Sequence, residues 1–266
     1  LTDEFFGQMK EKKLQGLYIS DELSKDINIE PLVSEELEQR ATQVLHDMDI
    51  DAALEVASDI TEELSRHGDI NVNLVSLRTS SDYTYKHSLN VAILSVLIGI
   101  GMGMRQSALK ELATAGLLHD IGKIGIPDRI LNKPERLTDE EYKEMKSHVV
   151  KGGEILKSFT LIDNIEEGAL YHHERYDGKG YVHGLKGEEI PLNARIIGIA
   201  DAFDAMTANR VYRKKLDMDF VLGELKKGRG TQFDPQLTDI MLHLIETGQI
   251  DMQRLYDNAN VKEEEE

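Results

Sequence analysis

Five of the nine histidines fall where a metal ion could use them: His87, His119, His148, His172 and His173. Taken singly, a histidine on a helix is more often a hydrogen-bonded core or surface residue than a ligand. Two features change that weighting. His119 is followed by Asp120 at the end of the apolar stretch 113–118, and a carboxylate entering a core is costly unless it is paired or bound to a cation. His172 and His173 likewise follow a largely apolar helical segment, and Asp201 follows the apolar run 194–200. The set offers neutral imidazole nitrogens and two carboxylates, which suit iron, manganese, zinc or nickel and suit calcium poorly. Seven ligands are too many for one catalytic ion but enough for two with a shared carboxylate and a bridging hydroxide. An adjacent His-Asp pair presents two carboxylate oxygens for that sharing. A pair of ions about 3.5–4 Å apart is a standard device for attack on phosphorus.

The rest of the chain must position those groups. With 266 residues, 40% hydrophobic and 30% charged, it can bury a core, although aromatics are sparse and Trp is absent. The absence of cysteine excludes disulfides, thiolate zinc sites and iron–sulfur clusters, and suits a reducing, cytoplasmic setting. A net charge of −18 argues against binding to nucleic acid polymers or anionic membranes, but not against a small phosphate ligand at a metal site. The longest apolar run, 89–104, contains Asn90 and Ser95 and is shorter than the roughly 20 residues of a membrane span. It reads as a buried helix. No signal peptide is evident. The chain opens on Leu1, which leaves room for an upstream sensor domain.

Helical periodicity dominates, and the fold class expected is all-α, a helical bundle holding the metals between helices. Ser34 is placed to cap a run carrying Leu37, Ala41, Val44, Met48, Leu54, Ala57, Ile60 and Leu64, which Gly68 can end. Residues 1–68 therefore read as a helical N-terminal region. Its role is a dimerising or signal-coupling segment or, equally, an extra layer on the main core. Asp82 can cap the helix that runs through His87, and a further helix spans about Ser107 to His119. Thr138 with Glu141 forms a capping box opening a helix that reaches His148, and Asp234-Pro235 opens the last long helix, which Gly248 can end. The glycine-rich loop 177–191 has the length of a functional loop, and residues 259–266 read as an acidic tail.

Several motifs now line up in order. They are His87-Ser88-Leu89-Asn90-Val91, then His119-Asp120-Ile121-Gly122-Lys123-Ile124-Gly125-Ile126-Pro127, then His148. His172-His173-Glu174-Arg175-Tyr176-Asp177-Gly178-Lys179-Gly180-Tyr181 follows, with Ile199-Ala200-Asp201-Ala202-Phe203-Asp204-Ala205-Met206 and Arg210-Val211-Tyr212-Arg213 after it. This series resembles the HD-GYP group of HD metal-dependent phosphohydrolases, over roughly residues 70–250 within a domain bounded at 69–258. The resemblance implies hydrolysis of a cyclic dinucleotide such as cyclic di-GMP, to linear pGpG or GMP, by a hydroxide that two metals activate. It implies one metal on His87, His119, Asp120 and Asp201, and a second on Asp120, His148, His172 and His173. Iron or manganese is the expected pair, with nickel or zinc as alternatives. Lys123 would meet the scissile phosphate or assist protonation, Arg210 and Arg213 would contact phosphates or guanine, and Tyr181 would lie beside the substrate.

The sequence departs from the family pattern at Val182 and Val211, where proline is usual, and the first change is expected to loosen the Tyr181 loop. Tyr83 stands where some members carry a glutamate for a third metal, which favours two. Two other functions remain open at this stage: a phosphohydrolase for another nucleotide such as cyclic GMP-AMP, and a sensor or scaffold that binds without cleaving.

Overall fold

The computed structural model describes residues 33–66, 83–159, 164–207 and 218–250, leaving aside the side chains of Glu35, Tyr83, Thr84 and Met218. All of these lie in one compact unit, residues 31–266. Arg210, Arg213, Val211, Asp82, Gly68 and the acidic tail lie outside the described residues. The first half contains α1 (Glu35–Asp47), α2 (Ile50–Arg66), α3 (Tyr83–Gly101), α4 (Gln106–Leu118) and a 3-10 turn at Ile121–Gly125. Then come α5 (Asp128–Leu131), α6 (Asp139–Lys146), α7 (His148–Lys157) and α8 (Ile165–Tyr171). A second 3-10 turn (Gly187–Glu189) precedes α9 (Leu192–Thr207), α10 (Met218–Gly228) and α11 (Pro235–Glu246). No strand occurs among the described residues, and the fold is all-α as expected.

Local chemistry accounts for several helix ends. The Ser34 hydroxyl accepts from the Leu37 amide (3.3 Å) and opens α1. Met48, in the left-handed region with φ 58°, closes α1 by donating its amide to the Val44 carbonyl. The N-terminal apolar run is therefore two helices. The Thr138–Glu141 capping box is formed in both directions. Its helix nevertheless stops at Lys146 rather than reaching His148. Ser147 turns its hydroxyl back onto the Glu144 carbonyl (2.6 Å), and His148 begins α7. Asp234 accepts from the Gln236 and Leu237 amides ahead of the first-turn Pro235.

α3 is the central rod. Leu89, Val91, Ala92, Ile93, Leu94, Val96, Leu97 and Ile98 are all buried, so the helix is apolar on every side, as a fully enclosed helix must be. It packs against α4, α9 and α11, while α1 and α2 cover α3 and α4 and join the same core. α4 approaches α3 so closely that a Cβ on Gly116 would lie 2.9 Å from the Ala92 Cα. Gly99 in turn faces Leu109, so the two helices are antiparallel and their His87 and His119 ends coincide. α7 lies on α8 and on the first 3-10 turn, and α8 and α9 close the bundle beside α3.

Gly122 sets the closest of these approaches. A Cβ there would lie 1.9 Å from the His148 carbonyl oxygen and 2.4 Å from the Gly152 amide nitrogen, both rigid backbone atoms. Gly122→Ala must therefore force the 3-10 turn and α7 apart, and chemical denaturation is expected to show a loss of about 3 kcal/mol or more.

Candidate metal centre

Each of the seven expected ligands sits at or near a helix end or inside one. His87 lies in the second turn of α3, and His119 and Asp120 follow α4 directly. His148 begins α7, and His172 and His173 follow α8. Asp201 lies within α9, which continues past it to Thr207 rather than ending there. The antiparallel pairing of α3 and α4 and the close seat of α7 on the 3-10 turn bring these positions to one place. Two groups result, His87–His119–Asp201 and His148–His172–His173, each with candidate ligand atoms within 4.8 Å of one another.

Asp120 stands between the groups and is only 5% exposed. Its Oδ2 lies 3.4 Å from His119 Nε2 and 3.7 Å from His87 Nε2. Its Oδ1 lies 3.4 Å from His148 Nε2 and 4.0 Å from His172 Nε2. One carboxylate thus turns one oxygen to each group, the geometry required of a shared ligand. His119, Asp120 and His172 also form a third candidate group among themselves.

The tautomers are legible from the hydrogen bonds, because a carbonyl can only accept. The Nδ1–H of His119 donates to the Gly116 carbonyl (2.8 Å), that of His148 to Met145 (2.7 Å), and that of His172 to Gly168 and Ala169 (3.0 Å each). Each Nε2 then carries a lone pair. Those three Nε2 atoms and Asp120 Oδ1 are buried without a hydrogen-bond partner. Unpaired buried acceptors of this kind cost about 1–3 kcal/mol each, and a cation is what satisfies four of them at one point. The donor set thus fits two transition-metal ions, with Asp120 shared.

Electrostatics hold five of the seven ligands in binding form. Burial lowers the His148 and His172 pKa values and takes His173 down to about 4, so these rings are neutral at pH 7. Burial works against ionising Asp120, but Lys123 and His119 beside it hold its carboxyl well below the usual range. Asp201 is held down in the same way by its hydrogen bond to His87 (3.2 Å). His87 goes the other way: burial opposes its charge, yet the contacts with Asp201 and Asp204 lift its pKa well above the ordinary value. Lys123 pairs with Asp120 Oδ2 from the next turn and keeps a 29% exposed side chain. His173 and Asp201 are also partly exposed, and these three groups mark the open side of the centre.

Tyr181 joins the site from the glycine-rich loop. Its ring lies 4.9 Å from that of His173, tilted by 31°, and its amide donates to the His173 carbonyl (3.3 Å). Beyond Val182 the loop is held by hydrogen bonds. The buried Glu174 accepts from the His183 (2.7 Å) and Gly184 (3.0 Å) amides, and the Asp177 amide donates to the Thr231 carbonyl (2.7 Å).

Sequence reasoning passed over two supporting residues. Asp204 Oδ2 accepts from His87 Nδ1 (2.7 Å), and its other oxygen accepts from Asn90 Nδ2 (2.7 Å). Asp204 lies three residues after Asp201 and Asn90 three after His87, so the spacing of one helical turn was the available signal. Asp204→Ala removes no ligand but frees the His87 ring. Competition with a chelator is expected to show metal affinity reduced about 10- to 100-fold at the His87 group, with the fold retained.

Comparison with known proteins follows this geometry. The HD domain family matches residues 70–237. The cyclic di-GMP phosphodiesterase PA4108 of Pseudomonas aeruginosa is 38% identical over 186 residues, covering 68% of this chain and 45% of that protein. The 3′3′-cGAMP-specific phosphodiesterase 2 of Vibrio cholerae is 36% identical over 169 residues, covering 63% of this chain and 32% of that protein. The chain thus spans less than half the length of either relative. Among solved structures, Bd1817, an HDG"Y"P protein from Bdellovibrio bacteriovorus, superposes with a TM-score of 0.64 at 15% identity. That superposition covers 92% of this chain and 81% of the other, and shows a shared fold. Ligand order, helical architecture and the match over residues 70–237 converge: the chain belongs to the HD domain family.

Proposed function

We propose that this protein is a metal-dependent phosphodiesterase that hydrolyses a cyclic dinucleotide, with cyclic di-GMP as its substrate and linear pGpG or GMP as product. The observation that carries the reading is Asp120, buried with one oxygen turned to each of two histidine groups. His87, His119, Asp120 and Asp201 would hold one ion, and Asp120, His148, His172 and His173 the other, iron or manganese by the family resemblance, since the donors themselves suit zinc or nickel as well. Bound there, two divalent cations supply Lewis acidity, lowering the pKa of a water and offsetting phosphate charge.

The chain's own residues do the remaining work. Hydrolysis joins a water oxygen to phosphorus and releases a ribose oxygen, which must gain a proton. Lys123 is placed to meet this need, since its ammonium lies on Asp120 Oδ2 and its side chain reaches the open side of the site. The ion pair with Asp120 aims the Lys123 side chain. Tyr181 packs beside His173 at the edge of the second group. Arg210 and Arg213 would contact phosphates or bases. The matched relatives are named for cyclic di-GMP in one case and 3′3′-cGAMP in another, so a cyclic dinucleotide is the common class, and cyclic GMP-AMP is the second substrate to assay.

Anaerobic loading with Fe(II) or Mn(II), followed by chromatography of products from both dinucleotides, tests the reading. Wild type is expected to give linear dinucleotide or GMP. Asp120→Ala is expected to give no product and to lose the shared ligation, seen as less than two metals per chain. A folded Asp120→Ala protein with near-normal turnover would sink the two-metal reading. Lys123→Ala is expected to keep its metal and lose about 100-fold in turnover. Loss of metal instead would make Lys123 a structural partner of Asp120.

A further inference from the structure

A cation on the rim of the centre has no assigned role. Lys146 ends α6, two residues before the ligand His148, and its ammonium lies 4.9 Å from the centroid of the Tyr142 ring and 5.5 Å from that of Tyr181. Tyr181 is itself stacked beside His173, so this cluster adjoins the second histidine group directly. Several other lysines of this acidic chain are matched with acids: Lys133 with Glu141, Lys151 with Glu144, Lys110 with Glu62, Lys227 with Glu224. Among the described residues, Lys146 has no carboxylate within ion-pair distance and meets aromatic rings instead. Tyr142 is 50% exposed, and α6 buries none of its residues, so neither side chain is there to fill a core.

We propose that Lys146, with Tyr142 and Tyr181, forms a subsite for a guanine base of the dinucleotide. Two flat rings and one ammonium suit a purine that offers acceptors along one edge. Guanine presents O6 and N7 there, both of which accept from lysine, whereas adenine places an amino donor at the same position and would face the ammonium with a donor. A phosphate would use the cation but gain nothing from the rings. Base–aromatic stacking is sequence-tolerant, so in this arrangement the tyrosines supply affinity and Lys146 supplies the choice of base. The inference rests on the phosphodiesterase reading only in taking a cyclic dinucleotide as the ligand.

Binding separates the two. Calorimetric titration of manganese-loaded protein with the hydrolysis-resistant bisphosphorothioate analogues of cyclic di-GMP and cyclic di-AMP is expected to show a preference of about tenfold for the guanine analogue. Lys146→Met is expected to weaken the guanine analogue about 5- to 100-fold and to leave the adenine analogue within about twofold. Tyr142→Leu is expected to weaken both analogues to a similar degree. Equal weakening of both by Lys146→Met would mean that the lysine meets a phosphate, and unchanged guanine binding that it meets no part of the ligand. Either result overturns the proposal. Loss of manganese from Lys146→Met, read by elemental analysis, would overturn it too, by making the lysine a prop for His148. Lysine-dependent preference for guanine in a protein that cleaves neither natural dinucleotide would leave the subsite standing and remove the hydrolytic reading instead.

Discussion

A carboxylate that is 5% exposed, with imidazole nitrogens around both its oxygens, is the constraint from which the rest of this structure follows. Asp120 can remain ionised in the core only because Lys123 and the histidines offset the loss of water. Its position after α4 requires α4 to stop at Leu118, and a 3-10 turn then carries Lys123 back over the same oxygen. His148 can face the other oxygen only because Gly122 lets α7 come within contact of that turn. The helix pairings are thus dictated by the need to surround one small acid from several directions.

The division of labour within the histidines is equally physical. His119, His148 and His172 spend one nitrogen on a backbone carbonyl of the preceding turn, which fixes both the ring plane and the tautomer. His87 instead uses a carboxylate, Asp204, which in turn is held by Asn90. The His87 group is therefore the more polar half of the centre, and the His148–His172–His173 group the more apolar. The opposite directions of the pKa shifts at His87 and His172 express that contrast.

Much of this was legible in the chain. The all-α class, the capping residues Ser34, Thr138 and Asp234, and the buried reading of the apolar run from Leu89, which holds as far as Gly99, follow from periodicity and end chemistry, which act locally. That His119, Asp120, His172, His173 and Asp201 stand together was legible because polar ligand types follow apolar runs there, whereas His87 and His148 were picked out by the ordered series of motifs. The break at Ser147 was not, because a serine that bonds back to the previous turn looks like any helix-surface serine. Nor were the contacts of the Tyr181 loop, which run through Glu174 and the Thr231 carbonyl and which no local pattern announces. Asp204 was visible as a residue, but its partner lies 117 positions away.

The helices that supply the ligands are also far apart in the chain. His87 and Asp201, in one group, bracket most of the bundle, while His148 and His173 in the other are separated by a whole helix and its connections. Ions seated in these two groups would tie α3, α4, α7, α8 and α9 to a single point, acting on the unfolded chain as a pair of nested crosslinks. Closing loops of that length restricts the denatured ensemble as well as completing the native site. Metal supply would then govern how much folded protein persists, and a scarcity of metal would be felt as turnover of the protein before it was felt as slow chemistry.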